Sequence, residues 1–146
     1  MLFRAEIKGY KSIRDVSVDL GRINLVIGSN GVGKSNFISA FRLVKDIYNK
    51  NLQQTVIQEG GANRILHYGR KETAQIALTL HLGFDEDAEA RNRYAVELGE
   101  SDDKLFIVST KTAFFNGLWY EQVRETSQWE SSFQYDRTGQ AFLSIR

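Results

Sequence analysis

The chain contains no cysteine and no proline, and it has only two histidines. The absence of cysteine excludes a disulfide scaffold, a cysteine-ligated zinc site and a thiol nucleophile. Two isolated histidines, His67 and His81, disfavour a histidine-rich metal site. Without proline there is no Pro-rich linker, and one common marker of loops is missing.

Long apolar runs are also missing, since no stretch approaches the roughly 20 residues of a membrane-spanning helix. Charges at Arg4, Glu6 and Lys8 occupy the place where a secretory signal has its apolar segment. We therefore expect a cytoplasmic protein that does not contact a membrane. The 146 residues, 42% hydrophobic and 25% charged, are typical of one soluble globular domain that buries its own core.

The net charge is only +1, but the charges are unevenly distributed. Residues 1–73 carry 12 Lys and Arg and six Asp and Glu, whereas residues 74–146 carry seven and 12. A basic first half suits a ligand that bears phosphate. The same asymmetry also arises on an ordinary solvated surface, so it does not decide the function.

The hydrophobic pattern predicts two strands, a third buried strand and a helix in the first 50 residues. Residues 2–7 and 16–20 alternate as half-buried strands, with a turn over 8–14 between them. Residues 23–27 form a short apolar run, which is typical of a strand buried on both faces. Residues 35–48 have helical period. Their apolar positions are Phe37, Ala40, Phe41, Val44, Ile47 and Tyr48.

The connecting segment, residues 51–72, holds a possible short helix at 52–58 and is interrupted by Gly60 and Gly61. From residue 73 the period changes to two, which predicts an antiparallel meander with one wet face. Its strands are expected around residues 76–82, 94–98 and 105–108, with a charged loop at 85–92 and a turn at 99–103. Further strands are possible at 114–115, 119–120 and 142–145, and residues 121–133 fit either a strand or a polar helix.

Residues 28–35 match the phosphate-binding pattern G-x-x-x-x-G-K-[ST]. They are Gly28, Ser29, Asn30, Gly31, Val32, Gly33, Lys34 and Ser35. The glycines let the backbone approach a phosphate, and successive N–H groups then point into one concavity. The helix that begins next adds free N–H donors and its positive dipole end. Lys34 is expected to contact the β- and γ-phosphates, and the Ser35 hydroxyl to bind Mg²⁺.

The opening of the chain resembles the N-terminus of the RecF/SMC-like branch of ABC-type ATPases. The resemblance includes G-Y-K-S-I at residues 9–13 and I-N-L-V-I-G-S-N-G-V-G-K-S-N-F at residues 23–37. It also includes the segment 60–70, which is similar to RecF-like ATPases that are described only as AAA-family ATP-binding proteins. It implies an α/β P-loop NTPase fold. The chain would then be the N-terminal half of an ABC-type head, with an antiparallel meander subdomain and with a sheet that is incomplete in this chain. It also implies that Lys11, Ser12 and Asn36 lie near the nucleotide.

Several parts of that family's catalytic site are not evident. The only candidate for the Walker B acid, Phe84-Asp85-Glu86-Asp87, fits a hairpin loop better because it follows a half-solvated strand. The Ser-Gly-Gly signature is missing, no switch histidine is evident, and the catalytic residues remain unassigned. Weak candidates for the polar-loop glutamine are Gln128, Gln134 and Gln140.

The resemblance implies binding of ATP and Mg²⁺, with the remainder of the ATPase or a second copy as partner in an ATP-sandwich dimer. It implies action on DNA in repair or phage defence through the full-length protein, and hydrolysis that needs downstream motifs. Two alternatives are a stand-alone P-loop kinase or GTPase and a non-hydrolysing nucleotide-binding adaptor. Aromatic residues at 119–120, 129 and 135 could stack on bases, but acidic neighbours favour packing within a sheet.

Overall fold

A computed structural model describes residues 1–83, 91–115, 119–125, 132–135 and 141–144, and it describes side chains in residues 1–83 and 92–113. The strands are β1 (Leu2–Tyr10), β2 (Ile13–Asp19), β3 (Gln75–Gly83), β4 (Arg91–Ser101), β5 (Lys104–Phe115), β6 (Trp119–Glu125), β7 (Ser132–Tyr135) and β8 (Ala141–Ser144). The helices are α1 (Lys34–Tyr48), α2 (Leu52–Gln58) and α3 (Ala62–Ile65).

Six strands form one antiparallel sheet in the order β2-β1-β3-β4-β5-β6, and β7 pairs with β8. The first half of the chain joins the second through the pairing of β1 with β3, in which Ile7 lies opposite Leu78. The predicted antiparallel strands of the meander are confirmed as β3, β4 and β5, and β6 continues the sheet beyond them. The described strands form no parallel pair, so the sheet of an ABC-type head is not visible in them.

The core lies between one face of the sheet and the helices. Along β1 and β3 every second residue points toward it, which is why the alternating pattern predicted these strands. Helix α1 buries Ala40, Leu43 and Ile47. The predicted apolar face omitted Leu43 and wrongly included Tyr48, which is 46% exposed. The largest fully buried hydrophobic side chains are Ile7, Leu43, Val56, Ile65, Leu66, Ile76, Leu78, Val96, Leu98 and Leu105.

The opposite face of the sheet is polar near its β2 edge. Arg4 pairs with Glu6 at 3.2 Å and with Asp19 at 3.3 Å, and His81 Nε2 lies 3.1 Å from the same Glu6 carboxylate. Each exposed pair contributes roughly 0–1 kcal/mol to stability. This part of the sheet face is therefore polar and partly exposed, and His81 belongs to it.

The predicted turns were too long. The turn over residues 8–14 contracts to Lys11 and Ser12, and the turn over 99–103 contracts to Asp102 and Asp103. The charged loop over 85–92 was also too long, because β4 already begins at Arg91. Strand pairing extends each element beyond its apolar positions, since the ladder hydrogen bonds continue through polar residues such as Lys8.

The predicted buried strand over residues 23–27 is wrong for the described structure. The segment is in no strand, and Ile23, Leu25 and Ile27 are 92%, 83% and 80% exposed. A strand buried on both faces requires paired neighbours and a layer on each side. The described sheet offers this segment neither.

Several predictions fall outside the described residues. These include the interpretation of 84–87 as a hairpin loop and the candidates Gln128 and Gln140.

Other predictions for the second half of the chain fall on described strands. Gln134 lies in β7, and the predicted strands at 114–115 and 119–120 lie in β5 and β6. Of the predicted strand at 142–145, the described residues 142–144 lie in β8. Of the segment over 121–133, residues 121–125 belong to β6 and 132–133 to β7. No helix in the described ranges is long and apolar enough to cross a membrane.

Candidate functional site

The loop over residues 28–33 leads directly into α1, as the motif predicts. Gly33 is the N-cap of α1 with φ of 99°, and Gly31 has φ of 86°. Both angles lie in a region that residues with a Cβ rarely adopt. A Cβ on Gly31 would meet nothing within 4 Å, so the tip of the loop is open to a ligand.

The first turn of α1 is suited to an anion. Its N-cap has no side-chain hydrogen bond, and no acidic residue lies in the turn. The leading N–H groups of a helix have no partner within the helix, and the dipole adds positive potential there. The loop and the helix start together form a site that fits phosphate groups.

The Lys34 ammonium closes back over the loop. Its Nζ donates to the carbonyl oxygen of Gly28 at 2.7 Å and to that of Ser29 at 2.6 Å. These bonds hold the positive charge over the backbone that would surround a phosphate. The contact of Lys34 with the β- and γ-phosphates stays a prediction.

Ser35, the predicted Mg²⁺ ligand, is exposed in the first turn of α1. Mg²⁺ in such sites keeps several waters and is held by few protein groups together with phosphate oxygens. In the described ranges no group of three or more His, Asp and Glu side chains is placed to hold a metal ion. The binding of Mg²⁺ by Ser35 stays a prediction.

The turn between β1 and β2 lies against the loop, although Ser12 and Gly33 are 21 positions apart in the sequence. The Asn36 amide donates to Ser12 Oγ at 2.8 Å. A Cβ on Gly33 would lie 2.8 Å from the same oxygen. Ser12 and Asn36 are thus next to the loop, and their contact with a nucleotide stays a prediction.

The side chain of Lys11, the third predicted site residue outside the loop, pairs with the segment that follows α2. Its Nζ forms an ion pair with Glu59 at 2.9 Å, and its side chain is largely buried. Its backbone N–H donates to the Ile65 carbonyl at 2.7 Å, and its carbonyl accepts from His67 Nδ1 at 2.8 Å. The segment that follows α2 therefore fixes the turn in place.

Sequence reasoning missed the contribution of Glu59, Arg64, His67 and Tyr68. Together with Lys11 and Asn36, three of them line a cleft beside the loop, and His67 holds the turn. The sequence singles out the segment 60–70 only through the family resemblance. No local pattern assigns it a role, because its contacts with β1 and with the β1–β2 turn join residues that are far apart in the chain.

Comparison with known proteins agrees with the loop. The family model described as AAA ATPase domain matches residues 1–133. Among curated proteins, the chain is similar to one named urease accessory protein 2 from Cryptococcus neoformans var. grubii serotype A, with 39% identity over 82 residues. That match covers 54% of this chain and 6% of the other protein, so the chain spans a small fraction of that relative's length.

The family match covers most of the chain and includes the loop, the helix and the meander. A P-loop with an uncapped helix start supplies the physical basis for binding the phosphates of ATP. The chain belongs to the AAA ATPase domain family and is a nucleotide-binding ATPase segment with a P-loop.

Proposed function

We propose that this chain is the ATP-Mg²⁺ binding segment of a RecF/SMC-like ATPase in the cytoplasm. In the full-length protein it would work with the remainder of the ATPase, or with a second copy, on DNA in repair or phage defence. The nucleotide-binding residues are the loop 28–35 together with Lys11, Ser12 and Asn36. The observation that carries the proposal is the open glycine loop under Lys34 at an uncapped helix start.

The RecF/SMC-like assignment draws its support from two segments. One is G-Y-K-S-I at residues 9–13, whose Ser12 contacts Asn36 beside the loop. The other is the sequence around the loop itself, with Asn30-Gly31 inside it and Asn36-Phe37 after it. The role on DNA is supported by this resemblance alone.

The two rival functions have no feature that favours them in the part of the chain that the structure describes. A stand-alone kinase or GTPase needs an acidic residue at the end of a second buried strand and a segment that binds the acceptor or base. The strands that follow α1 are antiparallel and half-solvated. An adaptor that binds nucleotide without hydrolysis differs from our proposal in one respect, since we expect a downstream segment to restore hydrolysis.

The exposed apolar segment supports the proposed partner. Residues 23–27 and the apolar side chains of β2 border a groove of about 600 Å³ next to the loop. Phe37 also lines it, and Phe37, Ile13 and Val16 pack against the core beneath it. Exposed apolar surface of this kind marks a contact site. We propose that the remainder of the ATPase, or a second copy, covers it and provides the neighbours that a buried strand needs.

The substitution Lys34→Ala tests the binding function. It removes charge-assisted contacts worth about 1.5–3 kcal/mol each, and we expect calorimetry to show no measurable ATP-Mg²⁺ binding. The fold should be retained, because Lys34 is not among the buried core residues. Lys45→Ala, an exposed lysine in the last turn of the same helix, is the matched control and should bind as the parent does.

Equal ATP affinity in Lys34→Ala and the parent would rule out the loop as the phosphate site. A loss of affinity in both lysine variants would instead indicate a general effect of positive charge. The circular dichroism spectra of the variants and the parent should coincide, which separates loss of binding from loss of folding.

A further inference from the structure

A polar cleft of about 550 Å³ lies beside the P-loop, on the side of the β1–β2 turn. This volume is within the range of about 300–1,000 Å³ that is usual for small-ligand pockets. The side chains that define it are Lys11, Asn36, Glu59, Asn63, Arg64 and Tyr68. Lys11 and Asn36 are already among the proposed nucleotide-binding residues, but no assignment made above says which part of the nucleotide the cleft holds or gives Tyr68 a role.

Asn36 connects the cleft with the P-loop. It lines the cleft, and its amide donates to Ser12 Oγ, which is next to Gly33. Asn36 is also the third residue of α1, after Lys34 and Ser35. A ligand whose phosphates occupy the loop therefore has the cleft as an adjoining space for the rest of the molecule.

Tyr68 is held in an unfavourable backbone conformation at the mouth of this cleft. Its φ is 53°, in the left-handed region, and its side chain is 81% exposed. Bulky residues rarely adopt this region, and such strain often accompanies functional sites. Burial of the ring does not explain why a tyrosine is placed here.

The backbone around Tyr68 is fixed on both sides. The His67 N–H donates to the Gly9 carbonyl at 2.9 Å, and the Gly69 N–H donates to the Leu66 carbonyl at 3.1 Å. The Tyr68 ring lies against the His67 ring, with centroids 4.3 Å apart. His67 is itself buried and bonded to the Lys11 carbonyl. The tyrosine is thus a positioned aromatic surface with most of its area open.

The other lining groups provide hydrogen bonds and positive charge. The Lys11–Glu59 ion pair offers both a donor and an acceptor. The Arg64 side chain folds over Gly60, where a Cβ would lie 3.0 Å from Arg64 Cδ and Nη1. An aromatic surface beside mixed polar groups is the chemistry that binds a nucleoside, because every base has a π face and polar edges.

We propose that the base of the bound nucleotide stacks on Tyr68 in this cleft while the phosphates occupy the P-loop. This proposal rests on the function proposed above, since it assumes that the loop binds nucleoside triphosphate. It assigns Tyr68 as the stacking residue.

The test compares ATP with inorganic tripolyphosphate, which has the phosphates and no base. In calorimetry on the 146-residue chain, Tyr68→Ala should weaken ATP binding between about fivefold and a hundredfold, the range of base–aromatic stacking. Tripolyphosphate binding should stay unchanged, because the phosphate site is intact. Tyr68→Phe keeps the ring and should bind ATP as the parent does.

A second variant separates an effect on ligand binding from an effect on the stability of the fold. Glycine adopts positive φ readily, so Tyr68→Gly should raise the melting temperature of the nucleotide-free chain. The same variant should weaken ATP binding as much as Tyr68→Ala does. A purely structural tyrosine would give the opposite pattern, with a lower melting temperature and equal losses for ATP and tripolyphosphate.

The outcomes distinguish the two proposals. If Tyr68→Ala binds ATP as the parent does while Lys34→Ala does not, the stacking proposal is overturned and the P-loop function stands. If Tyr68→Ala weakens ATP and tripolyphosphate equally, the stacking proposal is also overturned. If the parent binds neither ligand, the proposed function itself fails.

Discussion

Alanine at Gly33 should be more destabilising than alanine at Gly31, although both glycines belong to the same loop. Both have positive φ, 99° at Gly33 and 86° at Gly31. A Cβ at Gly33 would lie 2.8 Å from Ser12 Oγ, whereas a Cβ at Gly31 would meet nothing within 4 Å. The pair therefore shares the backbone strain and differs in the contact with the β1–β2 turn.

The magnitude follows from these two contributions. Forcing a residue with a Cβ into such a conformation costs about 1–3 kcal/mol. At Gly33 the Ser12 hydroxyl must also move away, which breaks its hydrogen bond with Asn36 and costs about 0.5–1.5 kcal/mol more. Gly33→Ala should thus lower the free energy of unfolding by about 1 kcal/mol more than Gly31→Ala.

Urea denaturation of both variants and the parent measures this difference. The substitution Ser12→Ala provides the control, because the remaining Ser12 Cβ would lie at an ordinary 3.9 Å from the new methyl group. In the Ser12→Ala background the two glycine variants should become equally unstable. Equal destabilisation of the two variants in the parent background would refute the placement of the turn against the loop.

Two further predictions concern catalysis and association. The 146-residue chain should show negligible ATP turnover in a phosphate-release assay. If turnover is robust and the double substitution Asp85→Asn, Glu86→Gln abolishes it, residues 84–87 are a catalytic segment and not a hairpin loop. Because Ile23, Leu25 and Ile27 are exposed, light scattering should detect oligomers or aggregates. A sharp monomer peak with a cooperative melt above ~60 °C would contradict the proposed uncovered surface.

The elements with local signals could be predicted from the sequence. Helix α1 follows from its period and from the loop that begins it, and β3 to β5 follow from strict alternation. The P-loop itself is a contiguous motif whose function depends on neighbouring residues. In each case the residues that decide the structure are close together in the chain.

The candidate site beyond the loop could not be predicted in the same way. The Lys11–Glu59 ion pair joins residues 48 positions apart, and the bond between Asn36 and Ser12 joins residues 24 apart. The strained Tyr68 also depends on distant contacts, because Gly9 anchors the backbone next to it. Periodicity carries no information about such pairs.

The sequence by itself determined the P-loop, the helix that follows it and the alternation of the meander, because backbone geometry and period are local properties. Only the tertiary structure decided that β1 pairs with β3, that the β1–β2 turn lies against Gly33, and that residues 23–27 are exposed. An apolar run indicates that a segment is suited to burial, but burial also requires neighbouring strands and a covering layer. Whether those neighbours are present is a property of the assembled sheet, and the described strands provide none for residues 23–27.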